Sequence, residues 1–200
     1  MRLRATFAAF AVVAAGLAVL AAVTDGFRAV TTDGAWRLSV AEQPRPLPDA
    51  ALVDQSGRAF RLSELRGRPV VLEFFYTSCP AICGLLASQF QAMLDRLVER
   101  RSSREVLLLS ISFDPARDTV TELADYAARL GVDGRIWRVA RLNEPVELRG
   151  LLDAFGVVVL PDGGGGFVHN AAIYLVDAEG SLARIYDPDA ADRVIAELGG

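Results

Sequence analysis

Apolar positions fall along this chain in three kinds of run, and each predicts a different element. From Ala5 to Val23 the run is unbroken except for Thr6, a stretch of 19 residues preceded by Arg2 and Arg4. Roughly 20 apolar residues span a bilayer core as a helix, whereas the apolar region of a cleaved signal is about 7–15 residues. The length favours an uncleaved anchor over a signal peptide. Either reading keeps the arginines in the cytoplasm and exports the remainder. Residues 1–24 are therefore expected to be a membrane anchor or signal segment, 25–46 a linker, and 47–200 one domain. Prolines at 44, 46 and 48 favour extended, stiff backbone where the linker meets the domain.

The second kind of run is short and nearly continuous. Val70–Tyr76, Val106–Phe113 and Ile136–Leu142 are rich in β-branched and large apolar residues, as in strands covered on both faces. The third is a stripe of helical period. Leu85, Leu86, Phe90, Met93, Leu94, Leu97 and Val98 share one face after Pro80, with Met93 as core packing. A second helix is expected from a cap at Asp118 or Thr119 to Leu130, stopped by Gly131. A third covers Pro145–Phe155 and a last one lies near Ala190–Leu198. Ala51–Leu62 folds back around Gln55-Ser56-Gly57 as a hairpin, and Phe167–Val176 pairs with Leu182–Tyr186 across Asp177–Gly180. Strands alternating with helices, then a hairpin and a helix, make an α/β fold with a mixed central sheet flanked by helices and an N-terminal β-hairpin.

Composition narrows the chemistry. The 200 residues carry a net charge of -4, so nothing draws the protein to nucleic acid. All 21 basic residues are Arg, which removes Schiff-base and phosphate-loop lysines. Two Cys and one His are the whole stock of thiol and imidazole, too few for a disulfide framework or a four-Cys zinc site.

The cysteines stand together. Thr77-Ser78-Cys79-Pro80-Ala81-Ile82-Cys83 lies where a buried strand gives way to a helix, the usual place for ligands in α/β sheets. With Pro80 at the first helical position, Cys79 would be the N-cap and Cys83 one turn later on the same face. The helix N-terminal field there favours thiolates. Positions i and i+4 of a regular helix set Cβ atoms about 5–6 Å apart, and a disulfide wants roughly 3.5–4.5 Å. Two thiolates sharing a metal tolerate the wider gap, with a reversible or structural disulfide as the alternative. Adding His169 makes a donor set of two sulfurs and one nitrogen, suited to low-coordinate Cu(I). The four glycines at 163–166 are expected to be a mobile segment that carries His169 to the metal. Alone, a histidine such as His169 is more often an ordinary surface or hydrogen-bonded residue than a ligand, and Asp114, Arg117 and Asp118 read as a loop ion pair with a helix cap.

Three motifs in order resemble the Sco/SenC family: Thr77–Cys83, then Ser112-Phe113-Asp114-Pro115-Ala116-Arg117-Asp118-Thr119, then His169 followed by Ile173-Tyr174-Leu175-Val176-Asp177. Asp54–Gly57 and Leu65-Arg66-Gly67 resemble the family's leading hairpin, so the likeness covers residues 47–198. It implies a thioredoxin-like fold tethered to a membrane, here the periplasmic face of a bacterial inner membrane. It also implies copper bound by Cys79, Cys83 and His169, and a part in assembling the copper centre of cytochrome c oxidase subunit II. Delivery of copper and reduction of client cysteines, in which Cys79 and Cys83 would be redox-active, are both consistent with it. A peroxidase is disfavoured because Thr77 and Cys79 are one residue too close and no distant resolving Cys exists.

The chain departs from the family pattern at Gly84, commonly Pro; at Ala81, commonly acidic; and at Val168 and Asn170, which flank the histidine in place of Asp and a hydroxyl residue. Without an acid beside His169, weaker binding of Cu(II) than of Cu(I) is expected.

Overall fold

The computed structural model of the chain describes residues 2–24, 26, 31–79, 82–99, 105–132 and 134–199. Contacts divide it into two units, Met1–Gln43 and Pro44–Gly200. In the first, the apolar run forms helix α1 (Arg2–Val23), with Phe7, Phe10, Val12, Val19 and Val23 exposed. Side chains of residues 2–5, 8 and 9 lie outside the described set. Among the described residues no helix is long and apolar enough to cross a membrane. Within the segment expected to be a linker, Thr32–Glu42 forms helix α2. The Thr31 side chain caps it by accepting from the Gly34 amide, and Asp33 pairs with Arg37 one turn on.

The second unit is built on an eight-stranded sheet. Its strands are β1 (Arg45–Pro46), β2 (Ala51–Asp54), β3 (Ala59–Arg61), β4 (Val70–Phe75), β5 (Leu107–Ser112), β6 (Trp137–Leu142), β9 (Ile173–Val176) and β10 (Ser181–Tyr186), in the order β1-β10-β9-β4-β5-β6-β2-β3. A separate two-stranded ribbon is made of β7 (Val159–Pro161) and β8 (Phe167–His169). Helices α3 (Ile82–Glu99), α4 (Val120–Leu130), α5 (Leu148–Phe155) and α6 (Ala191–Leu198) complete it.

Every residue of β4 and β5 is buried, as their continuous apolar runs require, and the two pair in parallel from Val70↔Leu107 to Phe75↔Ser112. Val71, Leu108, Trp137, Ile173 and Leu175 form one face, on which α3 packs Leu86, Phe90, Met93 and Leu97 and α6 packs Val194 and Ile195. Phe74, on the opposite face, meets Phe155 and Tyr174 edge-on at 5.1 and 5.8 Å. Parallel pairing puts the carboxyl ends of β4 and β5 side by side. The loops that leave there, Tyr76–Cys79 and Phe113–Thr119, are therefore neighbours.

Two elements differ from expectation, and the cap of α4 resolves to one of its two expected candidates. Pro145–Glu147 is a 3₁₀ turn, and α5 begins only at Leu148. Thr119, not Asp118, caps α4, its hydroxyl accepting from the Glu122 amide at 3.3 Å; Gly131 ends that helix in the left-handed conformation. Phe167–Val176 is not one strand. Residues 167–169 pair with β7, and only 173–176 join the main sheet beside β4 and β10. Between them Asn170 ties the ribbon down, its amide oxygen accepting from the Val158 amide at 2.7 Å and its amide nitrogen donating to the Gly156 carbonyl at 2.9 Å.

Candidate metal centre

The thiol loop begins where β4 stops. Tyr76 is buried at the strand's end, and its carbonyl accepts from the Cys79 amide at 3.2 Å, turning the chain at Thr77-Ser78. Cys79 is half-buried, and among the described residues its thiol has no disulfide partner. The described part of α3 begins at Ile82, so Cys83 lies in its first turn; Pro80, Ala81 and the Cys83 side chain lie outside the described residues. The expected N-cap role of Cys79 and its shared face with Cys83 fall on that stretch.

The acid beneath the loop is Asp118. It is 1 % exposed, and its carboxylate accepts from the Thr77 amide at 3.0 Å, from the Thr77 hydroxyl at 2.5 Å and from the Ser112 hydroxyl. Asp118 is thus a brace between the thiol loop and the end of β5. Three donors meet this buried carboxyl, as a buried polar group requires, and they fix the loop to the strand. Asp114 and Arg117 do form the expected ion pair, at 3.4 Å, and burial raises the Asp114 pKa against the pull of the arginine.

His169 reaches the same end of the sheet on β8. Its ring lies edge-on to Phe113 at 5.0 Å; Phe113 packs on Tyr76 at 5.2 Å and on Phe167 at 5.6 Å, and Tyr76 meets Phe167 at 5.4 Å. Four aromatic rings therefore join the histidine strand to the residue that starts the thiol loop. The glycine run is no mobile arm. Asp162 accepts from the amides of Gly164 at 2.7 Å and Gly166 at 2.9 Å, and Arg117 donates to the Gly165 carbonyl at 2.5 Å while lying over Phe167. Gly165 has a positive φ of 92°, and a Cβ on Gly166 would come within 2.7 Å of the Asp162 carboxylate. The glycines close a tight turn.

Both ring nitrogens of His169 are buried and have no hydrogen-bond partner among the described residues. Buried polar groups nearly always find a partner, so an imidazole with two idle nitrogens is a candidate ligand position. Burial also lowers its pKa below the ordinary value, which keeps the ring neutral and a lone pair available. Among the described residues no group of three His, Cys, Asp or Glu side chains is placed to hold a metal; the Cys83 side chain is not in that set. Cys79 and His169 are thus brought to one end of the sheet through Tyr76 and Phe113.

The sequence model of one protein family, SCO1/SenC, matches residues 42–198. The chain belongs to the SCO1/SenC family. A protein of Stutzerimonas stutzeri proposed to bind copper is 31% identical over 144 residues, 69% of this chain and 67% of that one. ScoI of Bradyrhizobium japonicum, solved with copper bound, superposes with a TM-score of 0.62 at 25% identity, over 76% of this chain and 99% of its own. BsSco, described with a disulfide switch and as a member of a family of cytochrome c oxidase assembly proteins, superposes with a TM-score of 0.68 at 21% identity, over 78% and 93%. The α/β unit is accordingly the thioredoxin-like fold of Sco proteins.

Sequence reading of this Sco chain did not find Tyr76, Phe167 or Asp162 as parts of the site. An aromatic residue ending a buried strand, and an acid just ahead of four glycines, were the available signals.

Proposed function

We propose that this Sco protein is a copper chaperone, holding the ion between the thiolates of Cys79 and Cys83 and the imidazole of His169. It would hand the ion to the copper centre of cytochrome c oxidase subunit II. The observation that carries the reading is the His169 ring, neutral, buried and without a hydrogen-bond partner, on the strand packed against the start of the thiol loop. Two thiolates and a neutral nitrogen match the softness of Cu(I), which low coordination satisfies. Asp114 is engaged with Arg117, and Val168 and Asn170 bring no acid to the ring, so oxygen donors for Cu(II) are wanting. In this reading the N-terminal segment tethers the domain to a bilayer, with the site on the exported side.

Roles divide by element. Asp118 sets the thiol loop and Phe113 packs edge-on against the ring, and the buried aromatic wall between them limits water at the sulfurs. The test is a Cu(I) competition with a chelator on the reduced full-length chain in detergent. One tightly held ion per chain is expected, weakened by His169→Ala and abolished by Cys79→Ser with Cys83→Ser. Retention indifferent to His169, alongside reduction of a client disulfide that needs both cysteines, would instead establish a dithiol reductase.

A further inference from the structure

The ribbon that carries His169 has an edge that its own strands do not use. The Asp162 amide bonds the Gly166 carbonyl at 3.1 Å and the Asn170 amide bonds the Val158 carbonyl at 3.4 Å. In an antiparallel pair hydrogen-bonded and non-hydrogen-bonded positions alternate, so Leu160↔Val168 is a bonded pair and Pro161↔Phe167 and Val159↔His169 are not. Pro161, which has no N–H to give, sits at a position that needs none. Phe167 therefore turns its N–H and C=O away from β7.

Both groups meet one side chain. The Tyr76 hydroxyl donates to the Phe167 carbonyl at 3.3 Å and accepts from the Phe167 amide at 3.3 Å. A single phenol replaces a neighbouring strand. The same residue's carbonyl accepts from the Cys79 amide, so Tyr76 holds the thiol loop by its backbone and the histidine strand by its side chain. We propose that Tyr76 is the positioning residue of the copper site, its hydroxyl fixing the Phe167 peptide and through it the place of the His169 ring relative to the thiols. This rests on the copper reading above and adds to it the residue that sets the third ligand. The hydroxyl acts apart from the ring, because the packing of Tyr76 on Phe113 and Phe167 needs only the aromatic face.

Tyr76→Phe isolates the hydroxyl, and two readouts on the full-length chain in detergent decide. In the metal-free protein, amide exchange at 167–169 should quicken while the denaturation midpoint stays close to wild type. With Cu(I) against a chelator, affinity should fall about tenfold, in the range for residues that orient a metal ligand. In a His169→Ala background the same change should have no effect, because a residue acting through the imidazole has nothing left to place. Wild-type exchange at 167–169 together with wild-type affinity overturns the proposal, and so does an equal loss of affinity in both backgrounds. A wild-type chain that binds no Cu(I) refutes the copper reading instead, and the exchange readout still decides whether the hydroxyl holds the strand.

Discussion

The β2–β3 hairpin and the β7–β8 ribbon are both short antiparallel pairs, and they are secured by different means. β2 lies between β3 and β6, with Leu52 paired to Phe60 on one side and Leu142 on the other, and Leu52 and Phe60 are buried. The ribbon stands as a sheet of two strands with Leu160 and Val168 exposed on its outer face. Side chains hold it in place: the Tyr76 hydroxyl, the Arg117 guanidinium, the Asn170 amide and the ring of Phe113. Backbone ladders and apolar burial make the first hairpin part of the scaffold. Discrete side-chain bonds fasten the second outside the main sheet's ladder.

The sheet's security is best measured by what it tolerates. Glu73, in the middle of β4, is 1 % exposed; its carboxyl accepts from Ser110, which in turn accepts from the Trp137 indole, and its second oxygen has no partner among the described residues. Burial pushes its pKa up to about 8 from an ordinary 4.5. Below pH 4.5 both folded and unfolded chains carry the proton. Between there and about pH 8 only the folded chain keeps it, so stability falls by about 1.4 kcal/mol for each pH unit across that window. Glu73→Gln removes the titration. In urea denaturation its stability relative to wild type should rise steadily from pH 5 to pH 8; parallel curves would show that the carboxyl is not held protonated.

Truncating the scaffold hairpin comes next in size. Leu52→Ala opens a cavity between β2 and its two neighbours and should reduce stability by about 2–5 kcal/mol. Cu(I) affinity of the folded fraction should stay unchanged. A large loss of affinity at full folding would mean that the two hairpins are not independent.

The scaffold could be read from the sequence because its signals are local. Continuous apolar runs gave β4, β5 and β6, and the turn at Gln55–Gly57 gave the first hairpin. The three motifs named the family and placed the thiols and the histidine in one fold. The ribbon could not be read in the same way. An apolar run from 167 to 176 looks like one strand, because the break at Asn170 is made by bonds to Gly156 and Val158, 12 or more positions away. Four glycines imply freedom until Asp162 and Arg117 are seen to close the turn. Glu73 was masked by its apolar neighbours, and α2 by the prolines that follow it. Long-range polar bonds leave no period in a sequence.

The smallest effect tests the ribbon's independence most sharply. The Asp162 carboxylate, itself exposed, accepts from the amides of Gly164 and Gly166 and so shapes the turn that leads into β8. Asp162→Ala leaves two exposed amides to water, a loss on the order of 1 kcal/mol felt within the turn. Amide exchange at 164 and 166 should quicken and Cu(I) affinity fall a few-fold, while the denaturation midpoint holds. Local opening of that kind is expected where side-chain bonds rather than buried ladders hold an element. If the midpoint instead drops as it does for Leu52→Ala, the ribbon unfolds with the sheet, and the histidine is placed by the scaffold as a whole rather than by its own fastenings.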